Sequence, residues 1–410
     1  MAVLPFVLIA AATLSPATLE VLPVYSLTFT GTGSEWVAAT VNPRSTSMAL
    51  IGLVALSLYL VGLPALLDFR GVRTLPRLLA VFAVPLALYA IYTRQYHNAG
   101  LLYGFWRSID GGGPDQAGPF VNRNHFAGWM LMTACLMIGW LFGQAERIIS
   151  KQTDRRRRTI LRLLSEEGGS VVLMTIAVAL AAVSIFWVVS RSAIMSFAFA
   201  AALFGWLALR RRRFGRGHRL AVLATLGGVL VGGIAWRGVD VLVRWFLDER
   251  SLLSRMDAWR DGWSVVRDFP LVGTGLNTYS SAMLLYQQRN PGFHMAQAHN
   301  DYLQLLAEGG LLVAIPAVIA ALLLARTVRR TVRTARHEAR GYWIRAGAGI
   351  GLVAMALQET VEFSLQMPAN ALLFCTLAAI AVTPVRAHAT GSTPRGNIDR
   401  GKDLSGGALS

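Results

Sequence analysis

Runs of about twenty apolar residues, separated by short arginine blocks, are the feature that most restricts what this chain can fold into. A stretch of ~20 mostly apolar residues is what it takes to cross the hydrocarbon layer of a membrane as a helix. Ten segments meet or approach that requirement: 3–19, 47–68, 77–93, 124–143, 169–189, 192–209, 219–236, 310–326, 344–360 and 367–385. They are Leu/Ala-rich and lack the alternation of a membrane barrel strand, and lipid leaves no partner for an unpaired backbone group. The expected fold is therefore all-α, a polytopic bundle of about ten spans. Composition agrees: 54% of the 410 residues are hydrophobic and only 15% charged, against ~25% charged in a typical soluble domain. That is too little charge to cover the surfaces of two or three water-soluble domains, which excludes a soluble enzyme.

The 39 Lys+Arg against 22 Asp+Glu, a net charge of +17, would suggest nucleic acid on a soluble chain. Here the basic residues lie between the apolar runs, as in Arg155 to Arg158, Arg210 to Arg213, and Arg326, Arg329, Arg330, Arg333 and Arg336. This is the pattern of cytoplasmic loops in a multi-span protein, and it argues against a nucleic-acid partner. Alternating the connections puts 69–76, 144–168, 210–218, 327–343 and the tail after 385 on the basic side. Both termini are then cytoplasmic, in parity with ten spans. The chain divides into helices one to seven (1–236), a long outer loop (237–309), helices eight to ten (310–385) and a Gly/Ser/Thr-rich tail (386–410) expected to be disordered. Met1 begins an apolar run without the basic region of a secretory signal. Cys135 and Cys375 sit in apolar runs as packing residues.

A loop of some seventy residues in a bundle of short connections points to function. From Leu252 onward, Leu252, Met256, Trp259, Trp263 and Val266 recur at steps of four and three, an amphipathic helix resting on the bundle or the lipid surface, with Asp257 and Asp261 on its opposite face and Phe269-Pro270 at its end. The densest polar cluster follows: Gly273-Thr274-Gly275, then His299-Asn300-Asp301-Tyr302-Leu303-Gln304, then Glu308. In a helix, Asn300, Gln304 and Glu308 stack as one polar ribbon with His299 beside its top, while Tyr302, Leu305 and Leu306 pack inward. A histidine just above a membrane can act as a general base or bind an anion, or can simply cap the surface. Gly273 and Gly275 permit close backbone approach to a ligand, though a plain turn uses the same residues. They are not a dinucleotide fingerprint, since no strand precedes them.

Arg191, in Ser190-Arg191-Ser192, stands between two spans with almost no loop, either pointing into the bundle or anchoring at the interface. Arg255 lies at the edge of the amphipathic stripe, with Arg260 and Arg267 at its other edge, where a solvated charge is the simpler reading. Together with Arg191 these arginines can grip a diphosphate. A third group, Asn122-Arg123-Asn124-His125, enters the fourth span from the outside. Capping explains one asparagine, and a sugar- or phosphate-binding role accounts for all four. Metal signatures of the His-Glu-x-x-His or Asp-rich type are absent from the sequence.

Phe120-Val121-Asn122-Arg123-Asn124-His125-Phe126, Ser190-Arg191-Ser192, Arg255 with Trp259 before Pro270-Leu271-Val272-Gly273-Thr274-Gly275, and His299-Asn300 with Tyr302-Leu303-Gln304 and Glu308-Gly309 occur in the order seen in a known family. Over roughly residues 45 to 385 the chain resembles the O-antigen ligase and polymerase family of integral membrane glycosyl-transfer proteins. The resemblance implies a helical inner-membrane protein with a large periplasmic loop, acting without metal or other cofactor. The implied donor is an undecaprenyl-diphosphate-linked glycan, and the implied acceptor is lipid A-core or another glycan. Carried over by motif, His299, Arg191 and Arg255 become the catalytic residues. Asn300, Tyr302, Gln304, Glu308, Arg260, Gly273, Gly275, Asn122, Arg123, Asn124 and His125 become the binding set, with Glu308 able to orient His299 or to hold sugar hydroxyls. A ligase is favoured over a polymerase or a protein O-oligosaccharyltransferase. A transporter would share the spans and basic loops, but the spans lack the midplane carboxylates and paired halves of a coupled carrier.

Overall fold

The computed structural model describes residues 40–67, 69–96, 101–102, 106–107, 115–150, 166–211, 227–228, 250–290 and 292–384. Ten α-helices lie among them: α1 (Pro43–Leu66), α2 (Phe69–Gln95), α3 (Arg123–Ser150), α4 (Glu166–Trp187), α5 (Arg191–Arg210), α6 (Arg250–Asp268), α7 (Tyr279–Tyr286), α8 (Asp301–Thr334), α9 (Ala339–Gln358) and α10 (Pro368–Val382). A two-residue antiparallel pair, Leu101–Leu102 with Trp106–Arg107, is the sole named sheet among the described residues. The all-helical expectation holds. Eight of the ten expected spans coincide with α1 to α5 and α8 to α10; the one at 3–19, the one at 219–236 apart from residues 227–228, and the tail at 386–410 fall outside the described residues.

Among the described residues, six helices are long and apolar enough to cross a membrane: α1 to α5 and α8. α9 falls short because Arg345, Trp343 and a run of glycines dilute its apolar character, and α10 because it has 15 residues. The outer helices carry apolar side chains on the surface, such as Ile51, Leu58 and Val61 on α1 and Ile315, Ile319 and Leu322 on α8. No aqueous surface is built that way, whereas a lipid-facing one is.

α3 and α9 form the centre. They approach until a Cβ on Gly139 would come within 2.4 Å of the Trp343 carbonyl oxygen, and one on Gly347 within 2.7 Å of that of Cys135. Gly139/Gly143 on one helix and Gly347/Gly351 on the other are both four apart, the spacing that lets helix backbones touch in lipid. Around this pair the helices alternate in direction. The starts of α1, α3, α5, α8 and α10 meet the ends of α2, α4 and α9 at one end of the bundle. At the other end Arg211 reaches Glu146, Arg73 reaches Glu338, and Arg345 donates to the Thr383 carbonyl.

The segment after α5 resumes at the first of these ends, where α6 and α7 pack against the start of α8 in a small second core that includes Val265, Tyr279, Met283, Met295 and Ala298. α6 ends at Phe269-Pro270 as expected, but its buried face is turned. Leu252 and Trp263 are exposed, while Ala258, Asp261 and Val265 face inward. The reason is Asp261, whose carboxylate accepts the amides of Gln288 and Arg289 and pairs with the Arg289 guanidinium. A carboxylate so partnered is at home inside, against the solvent position its spacing suggested.

Candidate functional site

Helix α8 builds the site by breaking. At Gly310 the backbone turns to φ 56° and ψ −164°, a conformation open to glycine. A Cβ there would lie 2.3 Å from the Leu271 carbonyl. The groups freed by the break are taken up by residues 270–275: Leu311 and Leu312 donate to the carbonyls of Pro270 and Leu271, and Thr274 and Gly275 donate to those of Ala307 and Glu308. This segment thereby clamps the first turns of α8 against α6.

Gly273 and Gly275 both have positive φ, and the places where their Cβ atoms would stand hold the Glu308 backbone and Thr40. Their close approach is to the protein itself. Glu308 is likewise engaged. It accepts the amides of Asn277 and Tyr279 at 2.7 and 3.0 Å and the Gln304 carboxamide at 3.0 Å, so it organises the start of α7 and does not reach His299. The polar ribbon is buried at Gln304 and Glu308, while Tyr302, expected to point inward, is exposed and donates its hydroxyl to the Ala356 carbonyl. The rotation follows from these partners, because the carboxamide and carboxylate find backbone and side-chain donors only on the protein side.

Asn300 caps α8, accepting from the amides of Tyr302 and Leu303 at 3.0 Å each. His299, directly before the cap, is held at φ 51°, a strained setting for a non-glycine residue of the kind that clusters at working sites. Its ring stands edge-on to Phe363 with centroids 4.9 Å apart, and His125 stands edge-on to the same ring at 4.6 Å. Two histidines 174 positions apart thus flank one phenylalanine. His125 is buried; the His299 side chain remains 30% exposed.

Glu362, 1% exposed, is the hub. Its Oε1 accepts from Arg255 Nη2 at 2.6 Å and from the Ser192 hydroxyl at 3.5 Å, and its Oε2 faces His299 Nδ1 at 3.9 Å. The two facing atoms are buried and have no closer hydrogen-bond partner. Burial pushes the Glu362 carboxyl upward, but His299 and Arg255 outweigh it and hold the group below the usual carboxylate range. Ser190 and Ser192 touch at 3.3 Å at the start of α5, whose first residue is Arg191. Behind Glu362, Asp301 donates its amide to the carbonyls of Glu359 and Glu362.

Of the residues expected from sequence, His299, Arg255 and His125 converge on Glu362 and Phe363, with Arg191 at the adjoining start of α5. Asn122 caps α3 through the Asn124 amide, the Asn124 carbonyl accepts from Gln358, and Arg123 pairs with Asp115 at 3.6 Å. Arg260 does not join the cluster; it is over half exposed and pairs with Asp257. The connection between α9 and α10, which carries Glu359, Glu362 and Phe363, is not among the residues that the sequence singles out for the site. Two carboxylates three positions apart, in a short connection on the same side as His299, were the available signal.

The fold and the site together define a multi-pass helical membrane protein with a His/Arg/Glu cluster at one end of its bundle. A family model described as O-antigen ligase matches residues 176–318, which include Arg191, Arg255 and His299. That match supports assigning the chain to the O-antigen ligase and polymerase family, a glycosyltransferase-like enzyme family. No curated protein gives a significant match.

Proposed function

We propose that this protein transfers a glycan from an undecaprenyl-diphosphate donor to an acceptor hydroxyl at the periplasmic face of the inner membrane, with lipid A-core as the acceptor. The observation that carries the reading is the meeting of His299, Arg255 and Glu362, supplied by three separate segments, beside Arg191 within the region matched by the family model.

In this reading the His299 imidazole takes the proton of the acceptor hydroxyl as that oxygen bonds to the donor's anomeric carbon. The bond between that carbon and the diphosphate breaks, and the polyprenyl diphosphate leaves with the electron pair. Attack from the face opposite the leaving group inverts the anomeric centre. The leaving group needs no protonation, only positive charge, which Arg191 and Arg255 supply. Glu362 accepts from Arg255 through one oxygen and turns the other toward His299, so it sets the imidazole orientation and balances the imidazolium that forms. Glu308, tied to the start of α7, leaves this role to Glu362. The apolar faces of the bundle hold the polyprenyl tail.

The reading is tested in a deletion strain complemented with wild type or His299→Ala, comparing the lipopolysaccharide ladder and the lipid-linked glycan pool. Loss of the long-chain ladder with polymerised lipid-linked glycan accumulating supports a ligase. Single repeat units persisting in the pool or on the core indicate a polymerase instead. An unchanged ladder in cells that contain the variant contradicts both and favours a protein-glycosylating or transport role.

A further inference from the structure

At the end of the bundle away from His299, a groove of about 1030 Å³ lies between α5, α8 and α9. Its walls are apolar, with Leu203, Leu207, Leu324, Val328 and Ile350 among them, and Phe374 of α10 contributes at its side. The groove is also lined by five arginines, Arg210, Arg211, Arg329, Arg333 and Arg336, with His337, and no carboxylate is among its lining residues.

These arginines divide into two sets. Arg211 is committed to the fold: it donates to both oxygens of Glu146 and to the Arg336 carbonyl, and its guanidinium lies 4.1 Å from the centre of the Tyr342 ring. Arg210 stacks over Trp206 at 4.2 Å. Arg329, Arg333 and Arg336 follow steps of four and three along the last turns of α8 and the turn that follows, which sets them on one face, and all three are exposed. Among the described residues, the two acidic residues nearby in the fold are both taken up. Glu146 holds Arg211 and the Trp343 indole, and Glu338 holds Arg73 and the first amides of α9. Positive charge is therefore in excess where the apolar groove opens.

We infer that this groove binds an anionic diacyl phospholipid, with its acyl chains along the walls between α5, α8 and α9 and its headgroup phosphate on Arg329, Arg333 and Arg336. The chemistry selects that occupant. A soluble anion would use the arginines and leave the apolar walls bare, and a zwitterionic lipid would fill the walls without satisfying the charge. Basic pockets between helices at the membrane boundary are the setting in which anionic headgroups are held. The inference requires only that the bundle spans a membrane, and it stands apart from the glycan-transfer reading.

The test is native mass spectrometry and thermal unfolding of the full chain in detergent, with cardiolipin or phosphatidylglycerol added and phosphatidylethanolamine as the zwitterionic control. Wild type should retain anionic lipid and gain thermal stability from it alone. The triple variant Arg329→Gln/Arg333→Gln/Arg336→Gln alters only exposed side chains, and should bind that lipid about 100-fold more weakly, given the contribution of each basic residue near a charged surface. A plug in the wall, Val328→Trp, should also lower retention with the arginines intact. Equal retention by wild type and the triple variant would overturn the inference. So would equal retention of phosphatidylethanolamine by wild type, displacement by excess inorganic phosphate, or retention unaffected by the plug.

Discussion

Glu146 and Glu362 sit at opposite ends of the same bundle, each buried to within 1% of full and each paired with an arginine. Glu146 is saturated: Arg211 grips both its oxygens at 2.9 and 2.8 Å, and the Trp343 indole donates to it at 2.7 Å. These bonds tie together the end of α3, the end of α5 and the start of α9. Glu362 receives one short bond from Arg255, a long one from Ser192, and leaves its second oxygen facing a partly exposed histidine across 3.9 Å. Similar ion-pair chemistry gives a fastener at one end and a group with capacity in reserve at the other. What differs is the number of donors that the fold supplies.

Substitutions should separate the two ends. The largest structural effect is expected from Glu146→Gln. It strands Arg211 at a mostly buried position and should cost about 3 kcal/mol, the scale of breaking one partner out of a buried pair. Thermal unfolding in detergent measures this, and the surviving folded protein should retain its glycan transfer. A variant of unchanged stability would break the comparison by making Glu146 a bystander.

Gly310→Ala is expected to act at the other end. A Cβ there meets the Leu271 carbonyl and the backbone sits at φ 56°, so a cost of about 1–3 kcal/mol is expected for holding a non-glycine residue there. Because this break positions the segment carrying His299, transfer should fall together with stability, and activity assays alongside unfolding would show whether the two are linked.

The smallest effect is in pH. Glu362 is held below the ordinary carboxylate range, so its contribution to stability is fully present above about pH 4.3. It is lost as the pH falls through the lowered folded value. The stability difference between wild type and Glu362→Gln should therefore shrink on acidification below pH ~4 and stay level above it. A difference that grew on acidification would contradict the assigned direction.

Much of the bundle was legible in the chain because lipid imposes a length and a composition on each helix. The site was legible in its basic residues: His299, Arg191 and Arg255 stand out as polar residues next to apolar runs. Its anion was not. Glu362 lies 63 positions from His299 in a connection with no periodicity, and only the packing of α9 against α3 brings it home. The rotation of α6 was hidden for a related reason, because burial of Asp261 depends on amides from residues 288 and 289 that no pattern within the helix reveals. Likewise Gly273 and Gly275 looked open to a ligand, whereas their near neighbours are Glu308 and Thr40, distant in sequence.

The most direct test of the account is polyprenyl-diphosphate release by purified protein reconstituted with a lipid-linked glycan and acceptor, comparing wild type, Glu146→Gln and Glu362→Gln. Glu362→Gln should remain folded but transfer about 100-fold more slowly, the scale of an impaired general base, while folded Glu146→Gln should turn over like wild type. Equal turnover by Glu362→Gln and wild type would contradict it, because the His299–Glu362–Arg255 cluster would then hold the protein together without taking part in transfer.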